Sequence, residues 1–280
     1  MQSVYLSIPF ARDITMYPTL LSFGPVTIYS YGVLLAAAYL MGLKLALFRS
    51  AKQGFDANKV MDLGILIIVS ALVGAKLMLF IVDFEYFSQS TERLWSLVRA
   101  GGVFYGGLLL AVPVAWWYLR RHRMPVWAAC DAFAPGIALG HAIGRLGCLM
   151  AGCCYGKPTD MPWGIVFTNT FAAANVGTPL DVHLHPTQLY ESFAELGILL
   201  VLLGMERRGR GFSGRTFWLY VLLYGVSRFV TEFYRGDPRG MVLDAVSTSQ
   251  FVSALIVPLS IVMLVYLARF SFPDQRKSHA

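Results

Sequence analysis

Seven stretches of the chain are apolar for close to 20 residues at a time, separated by segments rich in basic residues, glycine or proline. They run Thr27–Phe48, Val60–Ile81, Val103–Leu119, Val126–Met150, Thr187–Gly204, Thr216–Tyr234 and Ser247–Ala268. A helix needs about 20 mostly apolar residues to cross the bilayer core. The pattern therefore predicts an all-α integral membrane protein with seven transmembrane helices, residues 1–280 forming one polytopic domain. The longest connection, Ala151–Pro186, carries Gly, Pro, Asn and Thr together with Trp163, Phe167 and Phe171. Aromatics in a long loop argue for order, so an ordered extracytoplasmic cap is expected there.

Composition agrees. Of 280 residues, 56% are apolar and 14% charged, against about 25% charged in soluble domains, and mean hydropathy is +0.58. This excludes a disordered chain, a coiled coil and a nucleic-acid-binding module. The first 18 residues lack a basic start and an apolar run, so they read as an interfacial segment rather than a cleaved signal peptide.

The net charge of +7 matters through its distribution, because Lys and Arg set membrane orientation. With the N-terminus outside, thirteen basic residues face one side: Arg49, Lys52, Lys59, Arg120, Arg121, Arg123, Arg207, Arg208, Arg210, Arg215, Arg269, Arg276 and Lys277. Six face the other: Arg12, Arg93, Arg99, Lys157, Arg235 and Arg239. The richer side is cytoplasmic, placing the C-terminus inside. A transporter built on inverted repeats would show paired broken helices, and the chain has no internal repeat.

Ionisable residues within membrane helices are functional candidates by default. Here they are Asp62, Lys76, Asp131, Arg145, Glu191, Glu195, Arg228 and Glu232. The topology puts Arg145, Glu191, Arg228 and Glu232 toward the outer face, with Tyr224, Arg228 and Glu232 on one helical stripe. Asp62 and Asp131 fall on the inner half and read as structural or interfacial. Two readings stand for the outer group. The charges neutralise one another between helices, Arg145 with Glu191 and Arg228 with Glu232. Alternatively, the two arginines hold a lipid phosphate, the anion that Arg grips in bidentate fashion.

Gly136, Gly140, Gly144, Cys148 and Gly152 recur every fourth residue, a ladder suited to close helix packing that leaves room beside Arg145. Cys148, Cys153 and Cys154 cluster near the outer end of the fourth span, with His183 and His185 in the same region. Three readings stand for these cysteines: small apolar packing, a disulfide, or a soft metal site whose spacing matches no standard zinc motif. Cys130 reads as packing.

Several motifs together resemble the bacterial prolipoprotein diacylglyceryl transferases. They are FGPVTIYSYG around Tyr31, GGVFYGGL at Gly101–Leu108, GRLG at Gly144–Gly147, HPTQLYES at His185–Ser192 and YGVSRFVTEFYR at Tyr224–Arg235. The resemblance implies a multi-pass enzyme of the bacterial inner membrane. It would move the diacylglyceryl group of phosphatidylglycerol onto the lipobox cysteine of a prolipoprotein signal peptide and release glycerol-1-phosphate. By position, Arg145 and Arg228 match the arginines that hold the lipid phosphate. Tyr31, Gly156, His185, Tyr224, Glu232 and Arg235 match other functional or site-lining positions, and Tyr105 stands where many members have a histidine considered for acid–base work. After GRLG the family usually reads N-F-[IV]-N-[GS]-E, whereas this chain reads CLMAGC.

In the expected mechanism Arg145 and Arg228 stabilise the leaving phosphate and Glu232 positions an arginine. Tyr105 or a water relays the proton of the substrate thiol. No cofactor or metal is expected, no nucleic acid is a partner, and the chain's own cysteines are bystanders. The alternatives are a related transferase with another lipid or acceptor, and a membrane protein that only binds or transports lipid.

Overall fold

A computed structural model describes residues 17–24, 26–99, 101–209, 211–238, 240–242 and 246–271. The expected interfacial N-terminal segment lies almost wholly outside these residues, as do Arg12, Arg210, Arg239, Arg276 and Lys277.

The long helices are α1 (Ser30–Ala51), α2 (Ala57–Val82), α5 (Phe104–Arg121), α6 (Val126–Ala151), α8 (Thr187–Arg207), α9 (Arg215–Thr231) and α10 (Thr248–Ser271). Short helices α3 (Phe84–Phe87) and α4 (Thr91–Arg99) follow α2, and α7 (Thr170–Val176) lies between α6 and α8. Three antiparallel pairs complete the described chain: β1 (Thr19–Phe23) with β2 (Val26–Tyr29), β3 (Ile165–Val166) with β4 (His183–Leu184), and β5 (Met241–Val242) with β6 (Val246–Ser247). Five helices, α1, α2, α6, α8 and α10, are long and apolar enough to cross a membrane. The other two long helices, α5 and α9, have 18 and 17 residues.

Two expected boundaries move. The first apolar run begins as strand, because Val26–Tyr29 pairs with Thr19–Phe23 before α1 starts at Ser30. Val, Ile and Tyr suit a strand as well as a membrane helix. The sixth run stops being α-helix at Thr231 and tightens into a 3-10 turn over Glu232–Tyr234.

The chain divides into two compact units, residues 45–132 and the remainder. In the first, α2 and α5 approach closely through small residues: a Cβ at Gly74 would lie 2.4 Å from the Gly106 carbonyl oxygen, the contact that glycine permits between membrane helices. Lys76 Nζ donates to the Leu97 and Val98 carbonyls at 2.8 and 3.3 Å and so holds the end of α4. Arg49 binds the Ala132 and Asp131 carbonyls, each at 3.1 Å. These two cations serve the scaffold.

In the second unit, α6 packs on α1 through the predicted ladder. A Cβ at Gly42 would lie 2.6 Å from the Gly136 oxygen, and one at Gly140 would lie 3.0 Å from the Ala38 oxygen. The ladder's packing role ends before Gly144, where a Cβ would meet nothing within 4 Å. The expected cap region, 151–186, has a core of its own. Tyr155, Ile165, Phe167, Ala172 and Leu184 bury against Leu149, and Phe167 is fully buried. Phe171 stacks on Tyr29 instead, and Trp163 is exposed and donates to the Tyr190 hydroxyl at 2.7 Å.

Candidate active site

The polar residues of α6, α8 and α9 converge in the second unit. Glu191, on the first turns of α8, faces three arginines. Arg145 Nη2 lies 2.6 Å from its Oε2, and Arg235 Nη1 and Arg228 Nη1 lie 2.7 and 3.5 Å from its Oε1. Arg228 also pairs with Glu232 at 2.6 Å and donates to Ser249 Oγ at 2.9 Å. Arg235 grips both oxygens of Asp237 at 3.0 and 3.1 Å. Both pairings expected from the sequence, Arg145 with Glu191 and Arg228 with Glu232, are present. Glu191 resolves the repulsion between the two expected arginines, because a shared anion lies between them. Three guanidiniums share Glu191, and Glu232 is a second partner of Arg228 and Asp237 of Arg235, so three cations are matched by three carboxylates.

Arg145 is held on its other side by a second pair. Its Nε donates to His141 Nε2 at 3.2 Å, one helical turn earlier, and His141 Nδ1 lies 2.9 Å from buried Glu195. The Tyr224 ring sits 5.3 Å from that imidazole, centroid to centroid. Next to Arg145, the Gly144 backbone faces open space.

Beyond α6 the chain turns sharply. Gly152 adopts φ +77°, the left-handed region glycine accepts readily, and Cys154 adopts φ +63°, uncommon for a residue with a side chain. This turn folds Cys153 and Cys154 back onto Cys148. The three sulfurs lie within 4.8 Å of one another, each half-buried, and are free thiols. Side chains from elsewhere hold the main chain of the turn. Thr178 donates to the Gly152 carbonyl at 2.9 Å, Gln188 to that of Cys153 at 2.8 Å and Thr187 to that of Cys154 at 2.7 Å. Thr187 and Gln188 are completely buried.

Charge links the thiols to the arginines. Hydrogen bonds from the Cys148 and Cys153 thiols pull Cys154 well below the usual thiol range. Burial opposes this, and Arg235 and Arg145 add to the lowering. Burial pulls the Arg235 guanidinium down, but its hydrogen bond to Asp237, with Cys154 and Glu191, outweighs burial and holds it above its ordinary value.

The remaining expected residues divide. Tyr31 borders the turn: a Cβ on Gly147 would lie 3.3 Å from its ring, and all three thiols are its electrostatic neighbours. Gly156 sits where a Cβ would lie 2.3 Å from the His185 carbonyl oxygen, and it bridges Arg235. Its glycine identity follows from packing. Lys157 N–H to the Tyr234 carbonyl at 2.8 Å, and Gly236 N–H to that of Tyr155 at 3.0 Å, join the same two segments and carry Arg235 into place. His185 packs against Tyr234 and shares a 3.1 Å hydrogen bond with Tyr190, and burial pushes its imidazole down. Tyr105 belongs to the other unit, on the first turn of α5.

Sequence reasoning named the arginines but not Glu191 as their common partner, nor the His141–Glu195 pair. The i, i+4 spacing of His141 and Arg145 signalled their own contact, whereas the His141–Glu195 pair joins α6 to α8, which spacing does not encode.

Comparison with known proteins gives one answer. The sequence profile of the family described as prolipoprotein diacylglyceryl transferase matches residues 18–266. A phosphatidylglycerol–prolipoprotein diacylglyceryl transferase of Clostridium tetani is 38% identical over 246 residues, covering 88% of this chain and 96% of that protein. One from Clostridium perfringens is 34% identical, covering 82% and 87%. One from Streptomyces coelicolor is 31% identical, covering 89% and 72%. The chain, with Arg145 on α6, Arg228 on α9 and Arg235 just beyond it, belongs to the prolipoprotein diacylglyceryl transferase family.

Proposed function

We propose that this protein transfers the diacylglyceryl group of phosphatidylglycerol to the lipobox cysteine thiol of a prolipoprotein signal peptide, releasing glycerol-1-phosphate. The observation that carries the reading is the arrangement of Arg145, Arg228 and Arg235 around one carboxylate, Glu191, beside the open space at Gly144. A phosphodiester carries one negative charge, as Glu191 does. It competes with Glu191 for the guanidiniums, whose planar forks match a phosphate as well as a carboxylate. As the glycerol C–O bond breaks, charge grows on the phosphate oxygen, where Arg145 and Arg228 stabilise it from fixed positions. Glu232 holds Arg228 and the His141–Glu195 pair holds Arg145. Tyr31, Tyr224 and Arg235 line the site, while Gly156 and His185 fasten its floor.

The seven long helices are read as seven spans of the bacterial inner membrane. The N-terminus and the region 151–186 face outward and the C-terminus inward, in accord with the basic-residue bias. α5 and α9 are short for a span, with about 27 and 26 Å of rise at 1.5 Å per residue, and the segments flanking them complete the crossing.

The test is mass spectrometry of a lipobox peptide incubated with purified protein and phosphatidylglycerol. The expected product carries one diacylglyceryl group on cysteine, with glycerol-1-phosphate released in equal amount. An unmodified peptide, or modification only with another phospholipid, overturns the reading.

A further inference from the structure

We infer that Cys148, Cys153 and Cys154 form a catalytic zinc site, open at one position, whose fourth ligand is the thiol of the substrate cysteine. The inference rests on the transferase reading above and replaces the expectation that these cysteines are bystanders.

Geometry comes first. The three sulfurs lie within 4.8 Å of one another. A tetrahedral zinc with metal–sulfur distances of about 2.3 Å needs them about 3.8 Å apart, which small side-chain rotations supply. Among the described residues no fourth His, Cys, Asp or Glu completes the group. Structural zinc sites are closed by four protein ligands, whereas catalytic ones have three and an open position. The turn is also built to hold its shape. Thr178, Gln188 and Thr187 fix three consecutive carbonyls, and Cys154 is kept in a backbone conformation that costs energy. Strain of this kind clusters at functional sites. Arg145 and Arg235 act electrostatically on Cys154 and offset the charge that three thiolates and a dication leave, a net of minus one.

The chemistry supplies the reason. The reaction alkylates a thiol, and the nucleophile is the thiolate. Zinc deprotonates a coordinated thiol outright. The substrate S–H proton passes to water as the zinc–sulfur bond forms. The bound sulfur then attacks the glycerol carbon that carries the phosphate, a C–S bond forms and the C–O bond breaks. The electron pair leaves on the phosphate oxygen, facing Arg145 and Arg228. Nothing is oxidised or reduced. The thioether product is a weaker ligand than a thiolate and departs, reopening the position. A thiolate made this way requires no side-chain base.

The test uses the full chain, purified in detergent under reducing conditions without chelator. About one zinc per chain is expected by elemental analysis. Dipicolinate should remove it and lower lipobox-peptide modification on the order of 10²-fold or more, and zinc or cobalt(II) alone should restore the rate. The cobalt(II) protein gives a readout apart from turnover. Its thiolate-to-cobalt absorption should change when a lipobox peptide is added, and should not change when serine replaces the peptide's cysteine. Cys153→Ala and Cys154→Ala should lose metal and activity together, while Cys130→Ser keeps both. Full activity in metal-free protein, or in protein whose cluster is held as a disulfide, overturns the zinc site and leaves the transferase reading standing. A cobalt spectrum indifferent to the peptide thiol in active protein overturns it as well. A spectrum that responds to the thiol, in zinc-loaded protein that transfers no lipid, overturns the transferase reading instead. If the alanine variants fail to fold, the metal-removal and cobalt experiments on the unaltered chain still decide.

Discussion

Glu191 and Arg235 meet at 2.7 Å although 44 residues separate them in sequence. Because the same carboxylate faces Arg145 and Arg228, Glu191 neutralises a cluster rather than one partner. Breaking a buried ion pair by removing one side costs about 3–5 kcal/mol. Glu191→Gln should therefore lower the unfolding temperature in detergent sharply. Glu191→Asp should recover part of the loss, and an unchanged melting profile in the glutamine variant would refute the hub role.

Arg145 and Arg228 are expected to act on the leaving phosphate. Alanine at either should lower the melting temperature, since it too removes one side of a buried pair, and should reduce modification per folded molecule on the order of 10²–10³-fold. Lysine should rescue poorly, because a point charge cannot reproduce the planar fork. Near-normal modification by either alanine variant would sink the phosphate clamp.

Two glycines should respond differently. At Gly156 a Cβ would lie 2.3 Å from a main-chain oxygen, so Gly156→Ala must push the Tyr155–Lys157 segment off His185 and lower the yield of folded protein. At Gly144 there is open space. Gly144→Leu should fold and yet raise the KM for phosphatidylglycerol, by filling the room beside Arg145. Equal folding yields for Gly156→Ala and wild type would show that the close contact with His185 is dispensable.

Burial lowers the pKa of His185. Its folded value lies below the unfolded one, about 6.5, so the unfolded state binds more protons between the two. The contribution of His185 to stability is complete above about pH 6.5 and is lost as pH falls through the lower, folded value. Melting curves recorded downward from about pH 7 should show a fall in stability that is smaller in His185→Gln. Identical pH dependence in the two proteins would exclude His185 as the titrating group.

Orientation is testable with reporter fusions or membrane-impermeant thiol labelling at introduced cysteines. The region Ala151–Pro186 should be accessible from outside and Arg120–Arg123 from the cytoplasm. The reverse result would turn the site inward.

The seven long helices were legible because about 20 apolar residues in a row have few other stable uses. The hairpin before α1 was not, since Thr27–Tyr29 reads as the start of the same apolar run. Helix α4 was missed for a different reason: Thr91–Arg99 is polar on average, and its apolar residues recur only with helical spacing. In the site, single helices announced Arg145 and Arg228. Glu191 as their shared partner depends on where α8 lies against α6 and α9, which spacing does not encode. The cysteines matched no standard motif because their proximity comes from a left-handed turn at Gly152 and Cys154.

That turn is gripped through its peptide carbonyls. Thr178, Thr187 and Gln188 bind oxygens that every amino acid carries, so the hold does not depend on the side chain at position 153, whereas the left-handed backbone at position 154 restricts the choice there. A loop fastened in this way can exchange the chemistry it displays without giving up its shape. Conversely, a substitution at Gln188 or Thr187, which offer nothing to a substrate, would disturb the reaction as a change in the displayed residues would. For redesign, position 153 is therefore open to new function, and the first turn of α8 is one to leave untouched.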